Sequence, residues 1–360
     1  MDARLFDLYT DYLIASTAQT SATGLSRLTD ETISHDAISR MLASEVQSSK
    51  QMYSYLKPLL GKIASETGVL VIDDAIAEKP YSDETDVICW HYDHCQRRSV
   101  KGINFVSLLY SSNGLSAPLS VQPIAKTEEY LHAQTGLIKR RSPVSKLEYA
   151  EQMLIYAKRL KVPFQYILAD SWYASANLMR FVQKRLRAKF IFAIKANRKV
   201  ALSKSQQRRG IYQRIDELTI MPEETLTVYL EGINSPLLLA RHDFKNGDGS
   251  SGIVYLLSND TQLNARQMFN IYQRRWTVEC YHKSLKQNAS LQSSPARTVR
   301  SQRNHLFASV CAFIKLESLK LSTNLNHFAL KNTIYMRALV VALDELAALK
   351  RLHGIELALA

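Results

Sequence analysis

Glu279 is the single acid between Thr261 and Leu316, a stretch that carries nine Lys or Arg residues. Positive neighbours hold a carboxylate ionised. There it either neutralises arginines or works on a phosphate, and its surroundings on a helix decide between the two. Asn264-Ala265-Arg266-Gln267 has the form of a capping box, so one helix is expected from there to about Gln287. At ~100° per residue, Tyr272, Arg275, Glu279, Lys283 and Lys286 share one narrow face. Ile271, Val278 and Leu285 form a separate apolar stripe that can bury against a sheet. Pairing with Arg275 and Lys283 one turn away accounts for Glu279 as part of a solvated surface. It does not account for Tyr272 and Lys286 on the same line, nor for the solitary acid.

Two further acid positions close β-rich runs. Asp73-Asp74 follows Gly68-Val69-Leu70-Val71-Ile72, and Asp170 follows Phe164-Gln165-Tyr166-Ile167-Leu168-Ala169. Between them lie strand-like runs at Asn104–Tyr110 and Leu115–Gln122, then a helical period over Ser145–Leu160 with Leu147, Met153, Leu154, Ala157 and Leu160 on its apolar side. Three strands in a meander, a helix and a parallel strand open a ribonuclease H-like α/β fold. In that fold the first and fourth strands lie side by side, so Asp74 and Asp170 are expected to be neighbours. A helix near Ala176–Arg187 and a strand near Phe190–Ile194 come next.

The remaining segments flank or interrupt this core. Residues 1–66 read as helical, with segments near Ala3–Ala15, Asp36–Glu45 and Lys50–Ile63, and Ser34 or Asp36 as an N-cap. A helix-turn-helix DNA reader is one option there, but six Lys or Arg against eight acids favours plain packing equally. The expected core runs from 67 to 195 and resumes at 263–322. A β-rich insertion at 196–262 separates the two parts, with runs at Leu226–Leu230, Pro236–Ala240 and Ile253–Leu257 around the loop Lys245–Gly252. Residues 323–360 are expected to be helical, with Leu339, Leu343, Leu346 and Leu349 serving core packing or dimer contacts.

Composition bounds the partners. The 360 residues are 46% hydrophobic and 22% charged, with a net charge of +13. That balance suits a globular protein with a polyanionic partner. Twelve Lys or Arg residues fall between Arg180 and Arg214 with no acid among them, and Phe190, Phe192 and Tyr212 are interleaved. A solvated face normally mixes signs, so this stretch, which includes Lys195 and Arg198, reads as a phosphate-tracking surface. No apolar run approaches the ~20 residues of a membrane span. The opening Met1–Asp7 lacks the form of a signal peptide, so a cytoplasmic, nucleoid-associated location is expected. Four cysteines at irregular spacing argue against a disulfide framework. Cys89, His91, Asp93, His94 and Cys95 crowd together, but one short strand cannot wrap a tetrahedral zinc, and an ordinary strand and loop is the better reading. His282, beside the acid, is expected to contact phosphate or solvent before it assists a proton transfer.

The spacing Tyr-x2-Arg-x3-Glu-x6-Lys, here Tyr272, Arg275, Glu279 and Lys286, resembles the signature of DDE transposases of the insertion-sequence-four type. Tyr272-Gln273-Arg274-Arg275-Trp276-Thr277-Val278-Glu279 and Leu168-Ala169-Asp170-Ser171-Trp172-Tyr173 look like that family as well. The family's first acid sits in Asp-Asp-Thr, whereas this chain has Asp73-Asp74-Ala75 and lacks the hydroxyl. The resemblance covers roughly residues 68–320.

It implies a metal-binding carboxylate set of Asp74, Asp170 and Glu279. Adjacent strand residues point to opposite faces, so Asp73 is the alternative to Asp74 and not its companion. The implied cofactor is a pair of Mg²⁺ ions, for which Mn²⁺ substitutes; carboxylates suit such hard cations. Two ions about 4 Å apart activate the nucleophile and stabilise the leaving oxygen of a phosphodiester. Tyr272, Arg275, Lys283 and Lys286, with Lys195 and Arg198, are the implied DNA contacts. The implied reaction is cleavage at the terminal inverted repeats of a mobile element and joining of the 3′-OH to target double-stranded DNA by a homodimer. Two rivals remain: a ribonuclease H-like nuclease without strand transfer, and an inactive DNA-binding derivative. Some relatives stack a flipped base on a Trp in the insertion. No Trp lies between Trp172 and Trp276, which leaves Tyr229 or Tyr255 as substitutes and that route open.

Overall fold

A computed structural model describes residues 2–47, 49–93, 96–245, 247 and 249–355. In chain order the elements are α1 (Ala3–Ala15), α2 (Ala22–Leu28), α3 (His35–Leu42), α4 (Ser49–Ile63), β1 (Val69–Glu78), β2 (Ile88–Asp93), β3 (Arg98–Ser112), β4 (Leu115–Pro123), β5 (Glu128–Leu131) and β6 (Ile138–Arg141). Next are α5 (Lys146–Arg159), β7 (Tyr166–Ala169), α6 (Ala176–Arg180) with a π turn at Phe181–Leu186, β8 (Lys189–Ile194), β9 (Lys199–Ala201), α7 (Lys204–Arg208) and β10 (Gln213–Arg214). The last are β11 (Thr225–Leu230), β12 (Leu237–Lys245), β13 (Ser251–Ser258), α8 (Ala265–Tyr272), a 3₁₀ turn at Gln273–Arg275, α9 (Trp276–Gln287), α10 (Val299–Thr323) and α11 (His327–Leu352). The chain forms two compact units, one of residues 47–282 and one of residues 1–46 with 283–360.

The larger unit is built on an eleven-stranded mixed sheet in the order β10-β9-β11-β12-β13-β8-β7-β1-β3-β2, with β4 also on β3. Its centre is the expected ribonuclease H-like core. β1 pairs antiparallel with β3 and parallel with β7, and β7 is parallel to β8. The 15-residue β3 shares its far edge between β2 along Arg98–Ile103 and β4 along Phe105–Ser112. Val69 to Ile72 of β1 and Tyr166 to Ala169 of β7 are all buried. Such unbroken apolar runs mark strands covered on both faces. The β-rich segment after β8 extends this same sheet, because β13 returns to pair with β8. Asn246 and Asp248 of the loop between β12 and β13 lie outside the described residues.

The expected helix from Asn264 starts as anticipated. Asn264 and Gln267 satisfy each other's backbone N–H groups in a capping box. It does not continue unbroken to Gln287, because the 3₁₀ turn at Gln273–Arg275 separates α8 from α9. Tighter winding there still leaves Arg275 against both the Tyr272 ring and Glu279. Arg274 explains the hold on this turn. Its guanidinium donates to Thr67 O at 2.6 Å and Ser111 O at 2.8 Å, clamping the turn to the start of β1 and the end of β3.

The other unit is helical. Ser34 is the N-cap of α3. Phe6 of α1 meets Phe307 of α10 with ring centroids 5.5 Å apart. The Tyr9 hydroxyl lies 2.9 Å from His305 Nδ1, which satisfies two polar groups in the core. Only the start of α11 is buried, at His327 and Leu330. Leu339, Leu343, Leu346 and Leu349 are 37–57% exposed, so they are not part of this chain's core. Among the described residues, no helix is long and apolar enough to cross a membrane.

Candidate active site at the ends of two parallel strands

The apolar run of β1 ends in two acids, and strand parity sends them to opposite faces. The last registered pair of the parallel ladder is Ile72 with Ala169. One step further brings Asp73 beside Asp170. The Arg275 guanidinium donates to Asp73 Oδ2 at 3.1 Å and to Glu279 Oε1 at 3.3 Å. Its carbon lies 5.9 Å from the centroid of the Tyr272 ring. One donor atom from each of Asp73, Glu279 and His282 lies within 4.8 Å of the other two. His282 is buried and stands edge-on to Phe105 at 5.7 Å. Asp170 Oδ1 accepts the backbone N–H groups of Trp172 at 2.9 Å and Tyr173 at 3.3 Å.

The electrostatics of this face are strained. Burial first, then the charges of Asp170 and Glu279, push the Asp73 carboxyl up to about 7 against the opposing pull of Arg275. Burial, and more weakly the charge of Asp74, raise Asp170, with the two backbone donors and Arg275 opposing them. Tyr272 is pushed up to about 12, chiefly by burial. One guanidinium is shared where three carboxylates gather.

Asp74 has a different setting. Its carboxylate accepts from Lys146 Nζ at 2.6 Å, the Tyr173 hydroxyl at 3.0 Å and Asn104 Nδ2 at 3.2 Å. Lys146 is the first residue of α5, where a Ser145–Glu148 capping box fixes the helix start. Its ammonium also lies 5.2 Å from the Trp172 ring. The reading that put Asp74 with Glu279 therefore meets a different geometry. Asp73 sits with Arg275 and Glu279, and Asp74 faces α5. Neither Lys146 nor Asn104 was singled out from the sequence, and no local signal ties residues 72 and 30 positions away to Asp74.

The other expected contacts fall on two segments, the turn after β8 and the α9 helix that carries Glu279. Lys195 and Arg198 are exposed in the turn after β8, closed by Arg198 N–H to Lys195 O at 3.0 Å. Lys283 and Lys286 belong to the helical unit, where the Lys283 ammonium lies 5.2 Å from the Phe328 ring. Cys89, His91 and Asp93 lie on β2, with Cys89 Sγ 3.4 Å from His91 Nε2. His94 and Cys95 lie outside the described residues. Cys89, Cys280 and Cys311 are free thiols.

The donor set fits a hard divalent cation. Carboxylate oxygens predominate, and a cation among them relieves the repulsion that raises Asp73. Asp73, Glu279 and His282 are the group whose donor atoms lie close enough together to hold it; Asp170, whose charge acts on Asp73, is not one of the three.

Acids just past the end of the parallel β1–β7 ladder, although β1 itself runs on to Glu78, faced by an acid from a later helix, are the arrangement of a ribonuclease H-like fold. A family model described as DDE superfamily endonuclease matches residues 2–214, and one described as Transposase DDE domain matches residues 143–314. The chain belongs to the DDE superfamily of endonucleases. The first match spans Asp73, Asp74 and Asp170, and the second spans Asp170 and Glu279. The chain is also 27% identical over 130 residues to a protein of Sinorhizobium fredii (strain NBRC 101917 / NGR234) described as "Putative transposase y4zB". That similarity covers 36% of this chain and 36% of the length of the other protein.

Proposed function

We propose that the chain is a DNA transposase of the insertion-sequence-four type, which cuts at the ends of a mobile element and joins the freed 3′-OH to target DNA. The observation that carries this reading is the gathering of Asp73, Glu279 and His282 donor atoms within 4.8 Å, next to Asp170 and under a single arginine. In this proposal the carboxylate set is Asp73, Asp170 and Glu279, with Asp73 taking the role first expected of Asp74.

Divalent ions, Mg²⁺ or Mn²⁺, supply charge screening, nucleophile activation and leaving-group stabilisation when bound. The side chains do the rest. Asp170 is oriented by two backbone donors, which leaves Oδ2 for a ligand. Arg275 neutralises Asp73 and Glu279 in the resting protein, and its forked guanidinium is suited to gripping a phosphate in bidentate fashion. Tyr272 limits the arginine's swing and adds a phenolic donor. Lys195, Arg198, Lys283 and Lys286 hold the DNA backbone. Asp74 ties the middle of β1 to the start of α5 through Lys146, and to Tyr173. The protein acts as a homodimer on paired double-stranded DNA ends.

The test is linear DNA carrying the element's own flanking ends, incubated with Mg²⁺ or Mn²⁺ and either the native protein or Glu279→Gln. Nicking and end-joining by the native protein alone is the expected outcome. Nicking without joining indicates a nuclease. Binding of the ends by both proteins with cleavage by neither indicates a DNA-binding derivative.

A further inference from the structure

Some cations of the larger unit meet carboxylates: Arg98, Arg141, Lys146, Arg241 and Arg275 each lie within 3.4 Å of an acidic oxygen. Many others do not, and among these the cations between β8 and β10 lie together without an acid in the sequence between them. Among the described residues, Arg198, Lys199, Lys204, Arg208 and Arg209 form no ion pair, and the next cation along, Arg214, pairs again with Asp216.

Lys204 is the informative member. Its ammonium donates to Asn234 O at 2.7 Å and Gln207 Oε1 at 2.8 Å, and lies 5.6 Å from the Tyr229 ring. Neutral oxygens and a ring face fix its position and leave its charge uncancelled. Gln207 in turn donates to Leu230 O at 2.7 Å and Ile233 O at 2.9 Å. The short α7 is thereby clamped onto the turn after β11. A cleft of about 600 Å³ opens here, lined by Lys204, Gln207, Arg208, Tyr212, Gly232 and Asn234. That volume is in the range of built ligand clefts, and no acid lines it. A second cleft that shares Gly232 is lined by Arg198 and Lys199 together with Glu231.

We propose that the first cleft is a seat for the phosphodiester backbone of DNA, separate from the acid cluster. Lys204 is its preset cation, Arg208 and Arg209 close on the phosphate from the exposed rim, and Tyr212 packs against the sugar. A preset, unpaired cation costs little ordering when the anion arrives. The transposase reading supplies only the identity of the polyanion.

The test is fluorescence anisotropy of a short random-sequence duplex in EDTA over a range of salt, using Glu279→Gln protein so that no cleavage intervenes. Each lost phosphate contact lowers the slope of log K against log salt by ~0.9. Arg208→Gln/Arg209→Gln should lower it by ~2, and Lys204→Met added to these by ~3, with affinity falling roughly 10- to 100-fold at low salt. Arg98→Gln/Arg141→Gln, which removes cations already paired, should leave the slope unchanged. The exposed pair alone carries the test if Lys204→Met disturbs the turn. An unchanged slope in the pair variant overturns the proposal, as does an equal fall in the control. Loss of heparin binding without loss of DNA binding also overturns it. If the Glu279→Gln parent binds no duplex at any salt, the DNA reading itself fails.

Discussion

Asp73 and Asp74 are neighbours in the chain and opposites in surroundings. Asp73 is crowded by Asp170 and Glu279, shares one guanidinium, and is raised to about 7. Asp74 receives a lysine, a phenol and an amide and is fully partnered. Folding gains from the second arrangement and is opposed by the first. Strain of that kind collects at functional sites, because a group selected for reaction is not selected for rest. The difference supports the proposal that Asp73 joins the reacting groups and that Asp74 supports the fold.

The largest effects should be on cleavage. Asp73→Asn and Glu279→Gln should each lower the rate of DNA nicking by ~10³-fold or more, about 4 kcal/mol of barrier. Asp74→Asn should lower it less than ~10-fold when assayed below its melting temperature. A gel assay of nicked plasmid in Mn²⁺ decides this, and equal losses for Asp73→Asn and Asp74→Asn would erase the distinction.

Next is the clamp that brings the Glu279 helix to Asp73. Arg274→Ala strands two carbonyls and removes charge-assisted bonds, so urea unfolding should show a loss of about 2–3 kcal/mol. Asp74→Asn should cost about 1–2 kcal/mol, because Lys146 loses its partner in a site that is only partly wet.

The smallest effect has the opposite sign. A carboxyl with a folded-state pKa near 7, against 3.8 for the ordinary group, binds extra protons in the folded state between those values. Its stabilising share is present at low pH and is lost as pH rises through that window. Asp73→Asn removes the penalty, so the variant should gain about 1–2 kcal/mol over the native protein between about pH 4 and about pH 8 in EDTA. Urea unfolding at both pH values checks it. Burial lowers His91 to about 4, which acts in both proteins and cancels in the difference.

Much of the fold and part of the site were legible in the sequence. The capping box at Asn264, α1 and the pairing of the first and fourth strands come from local pattern, whereas the strand expected to close at Asp73-Asp74 runs on to Glu78. What the sequence left undecided or hid needed registers or distant partners. Which of Asp73 and Asp74 meets Glu279 depends on the ladder pairing Ile72 with Ala169, and strand periodicity alone allows either. The break at Gln273–Arg275 arises from Arg274 reaching carbonyls next to β1 and β3, which no helical repeat reveals. The hairpin of β5 and β6 and the two- and three-residue strands β10 and β9 are too short to show a period. Lys146 was missed because its partner lies 72 residues away.

The most direct test of the central claim is Mn²⁺ binding at about pH 8, read from the electron paramagnetic resonance signal of the free ion. Native protein, Asp73→Asn and Asp74→Asn are compared. The account predicts that native and Asp74→Asn proteins take up the ion, while Asp73→Asn binds at least ~10-fold more weakly. Native-like uptake by Asp73→Asn together with loss in Asp74→Asn would contradict it.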